Sequence, residues 1–579
     1  MLFETIPHRI LTRGRERGTA DAYAVRTDAG WVTTSWRDYA DEVEAVAKSL
    51  IALGVEAGSP VAILGANTPE WVAFDVAAMA VGAMPAGIYP TSSPEECAYV
   101  INHSRSPVLL VQNEVQLAKI LEKRAEMEGL EHIVLMKGAS SHAEGVLTWD
   151  EFLALGEDVD IAEVDRRLAA LGPRDGATLI YTSGTTGPPK AVLLPHEALT
   201  STVDSVIQIY DVDINDISIS YLPLSHIAEQ IMSILGPAAT GHTVHFEPDI
   251  YRLADSIKEV RPTVFFAVPR VWEKFHTGVE EKLGEASGVK ATLAGRALAV
   301  GRDHAVTVYG GAAPGGFLGF QHGLFDKLVF SKVKEALGLD RARYLISAAA
   351  PLAPSIAEFF SGLDMHILQL YGQSECTGIC SFNRPDWNRV GSVGPAMPGV
   401  EFRIADDGEI LTRGPNVFLG YLHNPEATFD TLDEDGWLRT GDVGHIDDDG
   451  FLFITDRKKD IIITAGGENV TPSEMETTLQ TDAIIANAVV VGDARPYLTV
   501  LISIDEEGAE GMSDEAIRAK VQKAIDDLNA GTARVRQLKK FAILDRPLSI
   551  EGGELTPTLK VKRKVVREHC ADEIEAMYS

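Results

Sequence analysis

The sequence predicts an α/β protein: a large N-terminal domain of several α/β layers, then a smaller α+β domain at the C-terminus. Three observations predict it. A chain of 579 residues exceeds what one hydrophobic core supports, since cores stop growing near roughly 250–300 residues. Between residues 35 and 111, helix-patterned segments alternate with short apolar runs, as in helices layered on a largely parallel sheet. Beyond residue 456 the pattern becomes a shorter α+β one. The boundary therefore falls between 456 and 457, giving domains 1–456 and 457–579.

Each element has a local reason. In the segment 35–55, Tyr39, Val43, Val46, Ala47 and Leu50 fall on one face at helical spacing. The apolar run Val61–Leu64 reads as a buried strand. Helix then strand recurs at Trp71–Ala80 into Met84–Tyr89, and at Glu96–Ser104 into Pro107–Val111. The glycine-rich stretch 310–316 reads as a loop inside the large domain. In the second domain, Val489–Val491 and Leu498–Ile504 read as strands and Asp514–Asn529 as an amphipathic helix. Thr471-Pro472-Ser473-Glu474 fits a capping box with proline at the first helical position.

A formal net charge of −32 argues against a nucleic-acid-binding surface, which needs a cationic footprint. It leaves anionic small molecules open, because local Lys and Arg override a distant field. Four cysteines are too few for a disulfide framework in so long a chain. Cys376 and Cys380 lack the further ligands of a zinc site, so free thiols in a cytoplasmic protein are expected. The N-terminus has no signal-peptide stretch. The apolar region 61–89 is interrupted by Asn67, Glu70 and Asp75, so it reads as buried core and not as a membrane span. Peripheral docking on a membrane surface stays compatible with all of this.

The segment 181–190, YTSGTTGPPK, carries the first chemistry. Ala177–Ile180 before it is apolar enough for a buried strand. Thr182, Ser183, Thr185 and Thr186 supply hydroxyl donors. Gly184 and Gly187 let backbone N–H groups approach an anion closely, and Lys190 adds a charge suited to phosphate. The Gly-Lys-Ser/Thr ending of a Walker A loop is absent. Taken alone, such a stretch is as readily a polar hairpin loop. As a ten-residue string it resembles the phosphate-binding signature of the adenylate-forming (AMP-binding) superfamily, which includes acyl-CoA synthetases, beetle luciferases and peptide-synthetase adenylation domains.

The resemblance runs in order over nearly the whole chain. Residues 371–378, YGQSECTG, resemble the adenine and magnesium segment. It implies that Tyr371 stacks on adenine beside Gly372, that Ser374 takes a place more often held by Thr, and that Glu375 holds Mg²⁺ with Thr182. A carboxylate and a hydroxyl are the hard oxygen ligands this ion takes. Ser347–Leu352 occupies the place of a glycine-rich adenine loop, with Ala349 and its neighbours replacing glycines. In WLRTGD at 437–442, Asp442 matches the residue that bonds both ribose hydroxyls, and an ionised carboxylate suits a vicinal diol. Arg457 matches a ribose or phosphate contact, Lys459 the hinge of a mobile small domain, and Gly466 and Gly467 the loop lining the pantetheine tunnel of coenzyme A. In ELTPTLKVKRK at 554–564, Lys560 stands at the place of the catalytic lysine. Alone, Arg457 to Lys459 would read as a solvated charge run and the 560–564 segment as a basic tail.

Three stretches are similar to the long-chain fatty acyl-CoA synthetase branch, including bubblegum-like enzymes: YLPLSHIAE at 221–229, with His226 near the acyl-adenylate; FFAVPRVWEKF at 265–275; and the insertion reaching LFDKLVFSKVKEALGLD at 324–340. Ala191 and Glu468 depart from the usual glycine and lysine. The activity implied is ATP-dependent activation of a carboxylic acid to acyl-AMP and pyrophosphate, then transfer to coenzyme A. Long-chain acids lead; medium-chain, aromatic or sterol-side-chain acids, and an acyl-AMP ligase loading a carrier protein, stay open. The short stretch after Lys560 leaves no room for an attached carrier domain.

Overall fold

The computed structural model of the protein describes residues 3–182, 188–556 and 559–579. Ser183, Gly184, Thr185, Thr186 and Gly187 lie outside the described residues, as do Pro557 and Thr558. Among the described residues the largest sheet has eight strands. Their order is 420–421, 190–195, 176–182, 84–88, 60–64, 108–111, 132–135 and 146–147. From 176–182 onward the neighbours are parallel, as the helix–strand alternation predicts. Strand 190–195 instead turns back antiparallel on 176–182. Thr182 and Lys190, described residues on either side of the phosphate segment, therefore face each other across these two strands.

The predicted helices fall at Trp36–Ala52, Pro69–Ala80 and Pro94–Ser104. Ser35, Thr68 and Ser93 cap them through side-chain oxygens that accept from Asp38 N, Trp71 N and Glu96 N, replacing bonds the first turn cannot make. Helix 69–80 is buried from Trp71 to Ala80. Asp75 inside it has both carboxylate oxygens unpartnered, and burial pushes its pKa up to about 8. It is thus a neutral acid at pH 7, the cheaper buried form.

Two further sheets complete the large part. One is ordered 217–220, 243–246, 21–27 and 30–35, the other 264–267, 344–347, 367–371 and 381–382. Behind the latter pack helices 269–284, 289–309, 316–325 and 354–361, around Phe265, Trp272, Phe330 and Phe360. The stretch 310–316 is loop up to Gly315, where the next helix begins. A four-stranded antiparallel sheet of 401–404, 409–413, 438–446 and 452–457 leads to the C-terminal part.

There, strands 485–491, 498–504 and 538–543 form a sheet covered by helices Pro472–Leu479 and Asp514–Ala530, with its own core around Ile484, Val500, Ile502, Val521 and Ile525. Proline does occupy the first turn of helix 472–479, but the expected capping box does not form: Thr471 makes no side-chain cap bond. Asp456 takes over, accepting from Ser473 N at 3.0 Å and Ser473 Oγ at 2.8 Å. A carboxylate at a helix N-terminus outcompetes a neutral hydroxyl because it also answers the helix dipole.

Candidate active site

Strand 367–371 delivers Tyr371 and then turns sharply. Gly372 is obligatory there, since a Cβ would lie 2.4 Å from Gly378 O. The turn Ser374–Cys376 follows, and Thr377 takes the left-handed conformation at φ 55°. Buried Asn416 holds this bend, donating to Cys376 O at 3.1 Å and Ile379 O at 2.9 Å, while Thr377 Oγ1 donates to Asn416 O at 2.7 Å. Glu375 projects from the bend. Its Oε1 accepts from Tyr421 OH at 2.7 Å. The Lys190 ammonium lies 4.6 Å from the centre of the same Tyr421 ring. Thr182 sits opposite Lys190 across the hairpin. One tyrosine thus couples the foot of the phosphate loop to the acidic turn.

Asp442 is buried and doubly held. Tyr371 OH donates to Oδ2 at 2.7 Å, and Arg457 Nε lies 3.1 Å from Oδ1. Burial raises its pKa, and Arg457 and the Tyr371 bond pull it back. Each carboxylate oxygen keeps a lone-pair direction for a further donor, so a ribose diol can be added. Register explains the arginine: Arg457 pairs with Asp442 across strands 438–446 and 452–457. Lys458 turns to Asp407 at 2.6 Å and Glu409 at 2.9 Å. Of the three basic residues, alternation sends one into the cleft and the next away from it.

Lys560 enters from the C-terminal part. Leu559 before it holds φ 60°, Lys560 N donates to Thr556 Oγ1 at 3.0 Å, and Thr556 N donates to Lys560 O at 2.8 Å. Buried Glu554 anchors this turn, with its carboxylate bound to Arg546 and to His569 Nδ1. Those partners, Arg546 first, hold the Glu554 pKa at about 2. The Lys560 side chain is accessible from the cleft, yet protein surrounds the ammonium at longer range. That desolvation, then repulsion from Arg457, lowers its pKa to about 8 against attraction from Asp442 and Glu375. Lys560, Arg457, Asp442 and Glu375 therefore share one electrostatic neighbourhood.

His226 borders it. Its Nδ1 accepts from Ala228 N at 3.1 Å, so the neutral ring carries its proton on Nε2. Burial, then the Lys560 charge, pushes its pKa down to about 4. Glu229 fixes this segment by accepting from Leu222 N at 3.2 Å and Ser233 Oγ at 2.5 Å; burial raises its pKa to about 8. Ala349 adopts φ 73°, the conformation glycine would take without strain, so the alanine keeps the loop's shape at a steric cost. Ser374 is buried in the acidic turn. Lys459 is exposed just beyond strand 452–457, and Gly466 and Gly467 are exposed on the hairpin 462–470.

The structure thus brings Lys560 of the C-terminal part near His226, Glu375, Asp442 and Arg457, with Tyr371 bonded to Asp442, Tyr421 joining Glu375 to Lys190, and Thr182 paired with Lys190 across the strands; Gly372 and Ser374 belong to the turn that carries Glu375. Tyr421 and Asn416 were missed by the sequence reading. No spacing rule marks them, because their roles arise from loop 414–421 folding back on the acidic turn. For magnesium, Glu375 offers Oε2, which bonds nothing among the described residues, and Thr182 offers a hydroxyl. That hard-oxygen pair fits the ion.

Profiles of two families match: AMP-binding enzyme over residues 13–422 and AMP-binding enzyme C-terminal domain over 459–579. The chain belongs to the AMP-binding enzymes. Among curated members, it is 36% identical to the long-chain-fatty-acid–CoA ligase ACSBG2 of Xenopus laevis, covering 96% of this chain and 81% of that one. It is 36% identical to the long-chain-fatty-acid–CoA ligase FadD15 of Mycobacterium tuberculosis, covering 95% and 93%. These relatives place it on the bubblegum-like long-chain branch of the adenylate-forming superfamily. The AMP-binding fold is also that of the anthranilate CoA ligase AuaEII bound to anthranoyl-AMP, with TM-score 0.75, 22% identity and coverage of 100% and 99%. ATP-bound MatB from Rhodopseudomonas palustris aligns with TM-score 0.71, 22% identity and full coverage of both chains.

Proposed function

We propose that this AMP-binding enzyme is a long-chain fatty acid–CoA ligase, forming acyl-AMP and pyrophosphate from ATP and then acyl-CoA and AMP. The observation that carries the reading is the meeting of Lys560 from the C-terminal part with Glu375, Asp442 and Arg457 of the large part. That meeting supports a conformation set for the first half-reaction.

The acid substrate is already ionised at neutral pH, so no protein nucleophile is needed. Its carboxylate oxygen attacks the α-phosphorus while the bond to pyrophosphate breaks, and charge grows on the phosphoryl oxygens. Lys560 meets that charge with a preorganised ammonium. Tyr371 stacks on adenine, Asp442 accepts from the ribose hydroxyls, and Arg457 orients Asp442 while facing the phosphates. Lys190 and the loop ahead of it hold the β- and γ-phosphates. Glu375 and Thr182 would hold Mg²⁺, which neutralises triphosphate charge, with Tyr421 orienting the carboxylate. His226, neutral with Nε2–H, borders the acyl end.

The small domain begins at residue 457 in this reading and turns about Lys459 for the second half-reaction. The turn withdraws Lys560 and brings Gly466 and Gly467 to line the path of coenzyme A. Exposure of both glycines, with open space beside Gly467, supports a loop free to take a new neighbour. Among the described residues no helix is long and apolar enough to cross a membrane; the reading is a cytoplasmic enzyme with peripheral membrane contact. ATP–pyrophosphate exchange over a panel of long-chain, medium-chain, aromatic and sterol-side-chain acids, with CoA or acyl-carrier protein as acceptor, tests it. Exchange should be highest with long-chain acids, and AMP release should need CoA. Preference for a carrier protein or for aromatic acids would overturn it.

A further inference from the structure

Helix 269–284 begins at Pro269 and carries Arg270 in its first turn, where no acid stands. A cation there works against the helix dipole, which favours anions at an N-terminus. Its charge is answered from elsewhere. Arg270 Nη1 lies 3.2 Å from Glu273 Oε2, and Nη2 binds Asp505 Oδ2 of the C-terminal part. Four residues on, and so on the same face, Lys274 Nζ lies 3.3 Å from Glu507 Oε2. Among the described residues these two are the only ion pairs that join residues 471–579 to residues 1–455. Over its whole length the helix is balanced, with Arg270, Lys274 and Lys282 against Glu273, Glu280 and Glu281. The facing segment 505–510, DEEGAE, holds four acids and no base. The Arg270 and Asp505 side chains are only 29% and 19% exposed, so solvent screens their bond less than a surface pair. Lys274 and Glu507 are 60% and 84% exposed and contribute little.

Both ends of the Arg270–Asp505 bond are anchored. Trp272 Nε1 donates to Ile346 O at 3.3 Å, fixing the helix to strand 344–347, which leads into Ala349. Asp505 Oδ1 accepts from Gly508 N at 3.1 Å, leaving Oδ2 for the arginine. Asp505 directly follows strand 498–504. Leu501 of that strand shares a core with Leu548 and Leu555, which precede Lys560. The Asp505 carboxylate and the Lys560 turn thus belong to one packed body. Holding Asp505 on Arg270 limits how far Lys560 moves from Glu375 and Asp442, whose charges reach it.

We propose that Arg270 and Asp505 are positioning residues acting through Lys560: their bond latches the C-terminal part in the adenylating arrangement and opens before that part turns for thioester formation. The latch rests on the two-step reaction proposed above. A bond made in one arrangement alone shifts the population toward it by its own free energy.

The full-length protein and its variants are compared in palmitate-dependent ATP–pyrophosphate exchange without CoA, and in palmitoyl-CoA formation from supplied palmitoyl-AMP. Asp505→Asn and Arg270→Gln should each lower exchange about three- to tenfold, while thioester formation holds or rises. The reversed pair Arg270→Glu/Asp505→Lys should recover most of the exchange that either reversal alone loses. Lys274→Gln should change neither half-reaction by more than about twofold. Equal loss of both half-reactions in Asp505→Asn would make the contact merely structural and overturn the proposal. So would unchanged exchange in both neutral variants, or a reversed pair no better than its single reversals. Fluorescence transfer between labels at Val289→Cys and Val535→Cys, both exposed positions, follows the arrangement without turnover. Asp505→Asn should shift the distribution that the wild-type residue holds, and an unchanged distribution would also overturn the latch. A protein that fails exchange with every acid, yet shows that shift, would strike the catalytic reading and leave the latch standing.

Discussion

Raising the pH through 8 should slow adenylation by discharging Lys560. Burial and the nearby Arg457 hold its ammonium at a pKa of about 8, so the free enzyme is roughly 90% charged one unit below that value and about 10% charged one unit above. The kcat/KM for ATP in pyrophosphate exchange should therefore fall about tenfold between pH 7 and pH 9. The kcat limb should lie at higher pH, because bound triphosphate favours the ammonium. Lys560→Arg keeps its charge throughout this range, so the limb should vanish even if the plateau drops. Lys560→Ala removes a preorganised donor, which costs about 10²–10³-fold in the first half-reaction. Thioester formation from supplied acyl-adenylate should survive, since Lys560 has left the site by then. Exchange is measured without CoA, so thiol ionisation does not enter. An unchanged alkaline limb in Lys560→Arg, or equal loss of both half-reactions in Lys560→Ala, would refute the assignment.

Other outcomes follow from the same geometry. Asp442→Asn loses the charge shared with Arg457 and turns one of the two acceptors facing ribose into a donor, so the KM for ATP should rise about 10–100-fold, from roughly 1.5–3 kcal/mol for a charged hydrogen bond. Tyr421→Phe removes the donor orienting Glu375 and should raise the magnesium concentration for half-maximal exchange about tenfold or more, with melting temperature little changed. Ala349→Gly relieves the left-handed strain at φ 73° and should raise stability by up to about 1 kcal/mol in urea unfolding; a loss would contradict that conformation. Lys459→Pro should spare exchange and block acyl-CoA formation, and loss of exchange as well would displace the hinge from residue 459.

The helix–strand alternation of residues 35–111 was legible in the sequence, because those helices are set locally, their caps Ser35, Thr68 and Ser93 acting within a turn of the residues they serve. Local chemistry failed where a distant group competed. Thr471 looked like a cap, but Asp456, fifteen positions earlier in sequence, took the helix end. The same limit applies at the site. Tyr371, Glu375, Asp442 and Lys560 belong to recognisable strings, whereas Tyr421 and Asn416 matter only because a later loop folds against the acidic turn. Among Arg457, Lys458 and Lys459 the motif did not show which charge faces the cleft; strand pairing with Asp442 did. Nor did the pattern of the insertion show which of its hydrophobic residues face outward: Phe317 is 76% exposed whereas Phe325 is buried.

The most direct measurement incubates the purified protein with ATP, magnesium and palmitate, first without and then with CoA, and follows the products by mass spectrometry. Palmitoyl-AMP and pyrophosphate should form in the first stage and be consumed to palmitoyl-CoA and AMP in the second. Cleavage of ATP to ADP, or a thioester formed without any acid–AMP anhydride, would contradict adenylation at this cleft.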